Sequence, residues 1–195
     1  MWSRLLFKYM VIGVVGKIGS GKSCFIEYVK DNYKNVITFS CDTIAKKIMD
    51  SGESEYTGKD IMPYIFFTNE AYQEEIRNKL HPIVFKKIED DIQKYKNDMM
   101  HDNYIFLIES ALPSDYMLEL CDKLIYIKSD FSDNLARLIE NRGYSDNQAK
   151  LIFDSQKFYE KFYDKADYII DNNSNLNRFK DSIKEVMNEI CIIRK

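Results

Sequence analysis

The 195-residue chain is poor in glycine, with 7 residues, roughly half of what the usual ~7% would give. Proline stands at 3 and tryptophan at 1. Together with 45% hydrophobic residues, this excludes collagen-like, low-complexity and disordered chains. Positive charge is not in excess either. Lys and Arg number 28 against 31 Asp and Glu, a net −3, so no basic footprint for nucleic acid exists. The four cysteines, Cys24, Cys41, Cys121 and Cys191, form no C-x-x-C pair and read as reduced thiols of a cytoplasmic protein, with zinc not expected. No apolar run approaches the ~20 residues of a membrane span. The opening MWSRLLFKYMVIGVVG superficially resembles a signal peptide. Its apolar run is short, lacks a small-residue cleavage site and leads directly into a glycine cluster, so a buried strand is expected instead.

What is present alternates. Tyr9 to Val15 is a continuous apolar run of the kind buried on both faces of a parallel sheet. Val36 to Phe39, Tyr104 to Ile108, Leu124 to Ile127 and Tyr168 to Ile170 read as four more strands. Helices are expected between them, among them Lys22 to about Asn32, Asp42 to Met49 and a last one over about Asn175 to Ile192. Strands alternating with helices imply an α/β fold with a five-stranded parallel sheet and right-handed crossovers. Residues 51–100 interrupt the alternation. Apart from PYIFF at 63–67 they read as helix from Asn69 onward, broken or kinked at His81-Pro82, with Ile88, Ile92, Tyr95 and Met99 on one stripe. The expected organisation is a single domain with a core at about 9–50 and 101–195. A helical acceptor-binding insertion at about 51–100 and a helical lid at about 131–165 complete it.

Four of the seven glycines, Gly13, Gly16, Gly19 and Gly21, fall close together, and Gly16-Lys17-Ile18-Gly19-Ser20-Gly21-Lys22-Ser23 matches G-x-x-x-x-G-K-[ST]. This is the P-loop, and here it follows a predicted buried strand and opens a predicted helix. Its backbone N–H groups and the helix N-terminus face the phosphates of ATP, Lys22 reaches the β- and γ-phosphates, and the Ser23 hydroxyl binds Mg²⁺. A guanine-reading N-K-x-D is absent, and the third strand is followed by Glu109-Ser110-Ala111-Leu112 rather than D-x-x-G. Glu109 is therefore either a carboxylate that holds magnesium through water or an ordinary loop acid. Asp42, after the second strand, is either the base that takes the proton of an acceptor hydroxyl, or a cap of the next helix, or both. Arg137 and Arg142 are candidate lid cations for the transferring phosphate. Phe153, Phe158, Tyr159, Phe162 and Tyr163 read as packing rather than as a base-stacking platform.

GVVGKIGSGKS, CDTIAKKI, KLHPIV, LARLIENRGYSDNQA, Gln156 and KADYIIDN occur in an order and spacing that resemble dephospho-CoA kinase, over about Val11 to Ile183. The resemblance implies a three-layer P-loop kinase that uses Mg·ATP to phosphorylate the ribose 3′-hydroxyl of dephospho-CoA, the last step of coenzyme A synthesis. It makes Asp42 the base, Arg137 the lid arginine, Asn172 a residue near the adenine of ATP, and His81-Pro82 part of the substrate-side helices. His81 on these grounds packs or touches substrate rather than moving protons. Cys24 completes the phosphate-binding stretch, while His81, Lys59, Asp42 and Glu109 form the expected acceptor side. Lys17 stands where the family usually has glycine, Cys24 where it has threonine, Asn141 where a second lid arginine is common, Lys59 for arginine and Ser114 for a loop carboxylate. Related chains begin near Met10, so residues 1–9 read either as an extension or as lying before the true start. The alternatives are another nucleoside or nucleotide kinase, and a P-loop binding module without turnover.

Overall fold

The computed structural model describes residues 9–54, 69–98, 103–110, 112–156, 160–173 and 175–192. Lys59, the 63–67 segment, Met99, Phe158 and Tyr159 lie outside them. Five strands, β1 (Tyr9–Val15), β2 (Val36–Ser40), β3 (Tyr104–Glu109), β4 (Lys123–Lys128) and β5 (Tyr168–Asp171), form one sheet in the order β2-β3-β1-β4-β5. Every pairing is parallel. The described helices are α1 (Lys22–Asn32), α2 (Cys41–Ser51), α3 (Glu70–Asp98), α4 (Asp115–Leu120), α5 (Phe131–Arg142), α6 (Asp146–Asp154), α7 (Glu160–Asp164) and α8 (Leu176–Ile192).

The two-residue period of the strands splits the core into two layers. Val11, Val15, Phe106, Ile108, Leu124 and Tyr126 face one side, where Ile48 of α2, Met117 of α4 and the apolar stripe of α3 cover them. Ile12, Val14, Leu107, Ile125 and Ile127 face the other, under Phe25 and Val29 of α1 and Phe179, Ile183 and Met187 of α8. The result is a three-layer α/β/α fold. A third, smaller cluster of Ile18, Leu138, Ala149 and Ile152 fastens α5 and α6 to the loop that follows β1.

Of the break or kink expected at His81-Pro82, a break is not seen: α3 runs as a single element with Pro82 inside it. Pro82 lacks an N–H and so forfeits one bond to the preceding turn, at a cost of about 3 kcal/mol in an exposed helix. Ile76, Leu80, Val84, Phe85, Ile88 and Ile92, all buried against the sheet and α2, outweigh that loss. Of the expected stripe, Ile88 and Ile92 are in the core, whereas Tyr95 is 43% exposed.

The sheet order also places the site. From β1 the chain turns toward β2, and from β3 it crosses back to β4 on the opposite flank of β1. The crevice at the carboxyl ends of β1 and β3 is thus a topological switch point, where open α/β sheets bind their ligands.

Candidate active site

Gly16 to Gly21 join β1 to α1 with positive φ at three positions, 153° at Gly16, 77° at Gly19 and 105° at Gly21. A side chain at Gly16 would lie 2.5 Å from the carbonyl oxygen of Ile127, and one at Gly21 would lie 2.4 Å from the Asn172 amide nitrogen. Only glycine permits both the curl and that approach. The first helical bond of α1 runs from the Phe25 N–H to the Gly21 carbonyl, so the amides of residues 22–24 precede it and point out of the helix N-terminus. Lys22 is buried, and its ammonium donates to the carbonyls of Gly16 at 2.8 Å and Lys17 at 3.2 Å, which holds it over the loop. Ser23 is exposed beside it, and Cys24 is half-buried on the α8 side.

Distant residues buttress the loop. Gln156, just beyond α6, accepts a 2.8 Å bond from the Ile18 N–H, and it is buried. Asn172, at the end of β5, donates from Nδ2 to the Ser20 carbonyl at 2.7 Å and is 6% exposed. The Arg137 guanidinium donates to the Gly19 carbonyl at 3.1 Å and to the Asn172 carbonyl at 2.8 Å, with Asp133 3.9 Å away on the same helix. Asn172 and Arg137, expected beside the adenine and the transferring phosphate, thus have their side chains turned onto the loop's own backbone. Asn134 packs its backbone against Gly19, is fully buried and pairs its Oδ1 with the Ser129 hydroxyl. Gln156 was legible only as part of the family resemblance, and Asn134 had no expected role. The signal for Asn134 was its place four residues before Leu138, on the buried face of α5.

The acids gather at neighbouring strand ends. Glu109 pairs in register with Ser40 of β2 and with Val14 of β1, two residues before Gly16. Asp42 is exposed in the first turn of α2, and the helix cap is Ser40, whose Oγ accepts from the Thr43 N–H at 3.4 Å. Asp42 is therefore relieved of the capping role that competed with a chemical one. Cys41, next to Asp42, is buried, and its thiol pKa is pushed well up by burial and then by the charge of Asp42, with a smaller push from Glu109. It stays a neutral thiol. Asp42, Glu109 and the phosphate loop accordingly occupy the carboxyl ends of three adjacent strands.

His81 lies apart on α3. It is 8% exposed, stacked edge-on to Phe85 with centroids 5.8 Å apart. Burial, and then the charge of Arg77, lowers its pKa to about 4, so the imidazole is neutral at pH 7. Ser114 leads into α4 beside Asp115, which receives Lys161 and Lys165 at 3.5 Å each.

A family model described as Dephospho-CoA kinase matches residues 58–178, well over half of the chain. The chain belongs to the dephospho-CoA kinase family. The dephospho-CoA kinase of Fusobacterium nucleatum is 28% identical over 193 residues, covering 91% of this chain and 95% of that protein. A solved dephospho-CoA kinase from Campylobacter jejuni superposes with a TM-score of 0.53 at 26% identity, over 94% of this chain and 98% of that one. Shikimate kinase from Acinetobacter baumannii, at 15% identity and a TM-score of 0.61, covers 94% of this chain and 93% of its own, and shares the fold alone. Membership in the dephospho-CoA kinase family thus rests on a stretch that excludes the phosphate loop and Asp42, and on relatives that span nearly the whole chain.

Proposed function

We propose that this chain transfers the γ-phosphate of Mg·ATP to the ribose 3′-hydroxyl of dephospho-CoA, giving CoA and ADP in the last step of coenzyme A synthesis. The observation that carries this reading is the convergence of a phosphate loop, Asp42 and Glu109 at adjacent strand ends in a member of the dephospho-CoA kinase family. The loop amides and Lys22 hold the β- and γ-phosphates. Asp42 takes the proton of the 3′-hydroxyl as its oxygen bonds to the γ-phosphorus. The bond from that phosphorus to the bridging oxygen breaks, and ADP leaves. Arg137 adds fixed positive charge beside the loop while keeping Gly19 and Asn172 in register with α5.

Magnesium fits the donors present. Among the described residues no group of three or more His, Cys, Asp or Glu side chains forms a cage. The exposed Ser23 hydroxyl and the half-buried Glu109 carboxylate are hard oxygen donors of the kind a nucleotide-borne Mg²⁺ accepts alongside phosphate and water. Bound there, the ion would neutralise charge on the β- and γ-phosphates. On the acceptor side, His81 is neutral at pH 7 and packs or touches substrate rather than moving protons, and Lys59 and Glu109 are the polar groups proposed for acceptor binding. A cytoplasmic setting agrees with the free thiols of Cys24, Cys41, Cys121 and Cys191, and no described helix is long and apolar enough to cross a membrane. Phosphorus NMR of the product tests the site of transfer. A new monoester on the ribose 3′-oxygen supports the reading, and phosphate on any other oxygen rejects it.

A further inference from the structure

Beside the phosphate loop lies a cavity of about 420 Å³, walled by Lys17, Lys128, Ser129, Phe153, Tyr126 and Tyr163. We propose that it is a second anion subsite, in which the ammonium groups of Lys17 and Lys128 hold a phosphate of one of the two substrates. The proposal rests on the kinase reading above and extends it to side chains that the P-loop pattern leaves unspecified.

The first observation is the state of the two lysines. Their neighbours on the same elements show the contrast: Lys123, on the same strand as Lys128, meets Asp167 at 2.6 Å, and Lys150, on the helix that carries Phe153, meets Asp146 at 2.6 Å. Lys17 and Lys128 make no ion pair among the described residues, although both line one cavity. Asp164, the carboxylate on its wall, is paired with neither. The walls thus carry two positive charges against one negative, an arrangement completed by an anion.

The second observation is how Lys17 is held. Its ammonium sits 4.2 Å from the centre of the Phe153 ring, and Phe153 in turn packs edge-on to Phe131 at 4.7 Å. A cation over an aromatic face is more weakly bound than one hydrogen-bonded to phosphate, so the ring is a resting place that an anion displaces. The third is continuity with the loop. Lys17 follows Gly16 directly, and the Ile127 carbonyl that excludes a side chain at Gly16 belongs to the same wall. The volume falls within the ~300–1,000 Å³ of small-molecule sites, and the T-shaped Tyr126–Tyr163 pair, 5.3 Å between centroids, gives it an apolar side that strengthens charge interactions. Where the resemblance provides glycine at position 17, this chain provides a cation facing that space.

The phosphate is either the γ-phosphate of ATP or the diphosphate of dephospho-CoA, and kinetics separates the two. Lys17→Met and Lys128→Met are each expected to raise the KM of the same one substrate by about ten-fold, with Lys17→Arg restoring most of it. A rise confined to ATP assigns the γ-phosphate, and one confined to dephospho-CoA assigns its diphosphate. Phe153→Leu removes the competing ring and is expected to lower that KM. The proposal is overturned if both methionine variants keep both KM values within two-fold, or if Phe153→Leu reproduces the Lys17→Met loss, which would mark a structural contact only. Should the wild-type enzyme not turn over dephospho-CoA, the functional reading fails on its own. Calorimetric binding of ATP and of inorganic diphosphate to wild type and Lys17→Met then decides the subsite, with equal affinities rejecting it.

Discussion

The carboxamide of Asn172 donates a 2.7 Å hydrogen bond to the carbonyl of Ser20, joining the end of β5 to the middle of the phosphate loop across 152 residues of sequence. The loop is thereby shaped from outside itself. Removing that amide leaves a buried carbonyl without its partner, which costs about 1–3 kcal/mol. Asn172→Ala is therefore expected to lower unfolding stability by that amount in urea and to weaken ADP binding, while the main-chain carbonyl that accepts from Arg137 stays in place. Unchanged stability and affinity would mean that the loop holds its shape alone.

Gly21 presents the same contact from the other side. Its φ of 105° is one that side chains avoid, and a Cβ there would meet the Asn172 nitrogen at 2.4 Å. Gly21→Ala should cost about 1–3 kcal/mol in strain and reduce ADP affinity. Combined with Asn172→Ala the loss should be less than the sum, because the clash partner is gone. Denaturation of the two single variants and the double one measures the coupling.

His81 predicts a pH dependence. Its folded pKa of about 4 lies below the ordinary 6.5, so between these values the unfolded chain binds more protons than the folded one. Its contribution to stability is complete above pH 6.5 and is lost as pH falls toward 4, by about 3 kcal/mol in all. His81→Leu, which also removes an imidazole nitrogen with no hydrogen-bond partner, should be near wild type at pH 7. It should surpass wild type in urea unfolding at pH 4.5. Parallel curves for the two proteins across that range would refute it.

Asp42 should separate binding from transfer. Asp42→Asn keeps the shape and leaves Ser40 to cap α2, so ADP affinity should hold while turnover falls by about 10²–10⁴. Single-turnover kinetics under saturating ATP reads the chemical step. Turnover within a few-fold of wild type would remove Asp42 from it.

How much of this was legible in the sequence depended on range. β1 and α1 fall at the expected residues, Tyr9–Val15 and Lys22–Asn32, because an unbroken apolar run and a glycine-to-helix junction are local signals. Pro82 left a break and a kink both open for a related reason: proline's effect on a helix is local, whereas the packing of Leu80, Val84 and Phe85 that carries α3 through it is tertiary. At the site, Gly16–Ser23 could be read directly. The Gln156 bond to Ile18 spans 138 residues and has no periodic signature. The turning of Arg137 and Asn172 onto the loop likewise depends on where β5 and α5 meet it in space.

The acceptor hydroxyl defines this enzyme, and a substrate panel reads it directly. ADP release with Mg·ATP is followed against dephospho-CoA and a panel of nucleosides and nucleotides. Turnover with dephospho-CoA is expected to stand well above that with every other acceptor. Selective turnover of a nucleoside, or no turnover with any acceptor, would contradict it.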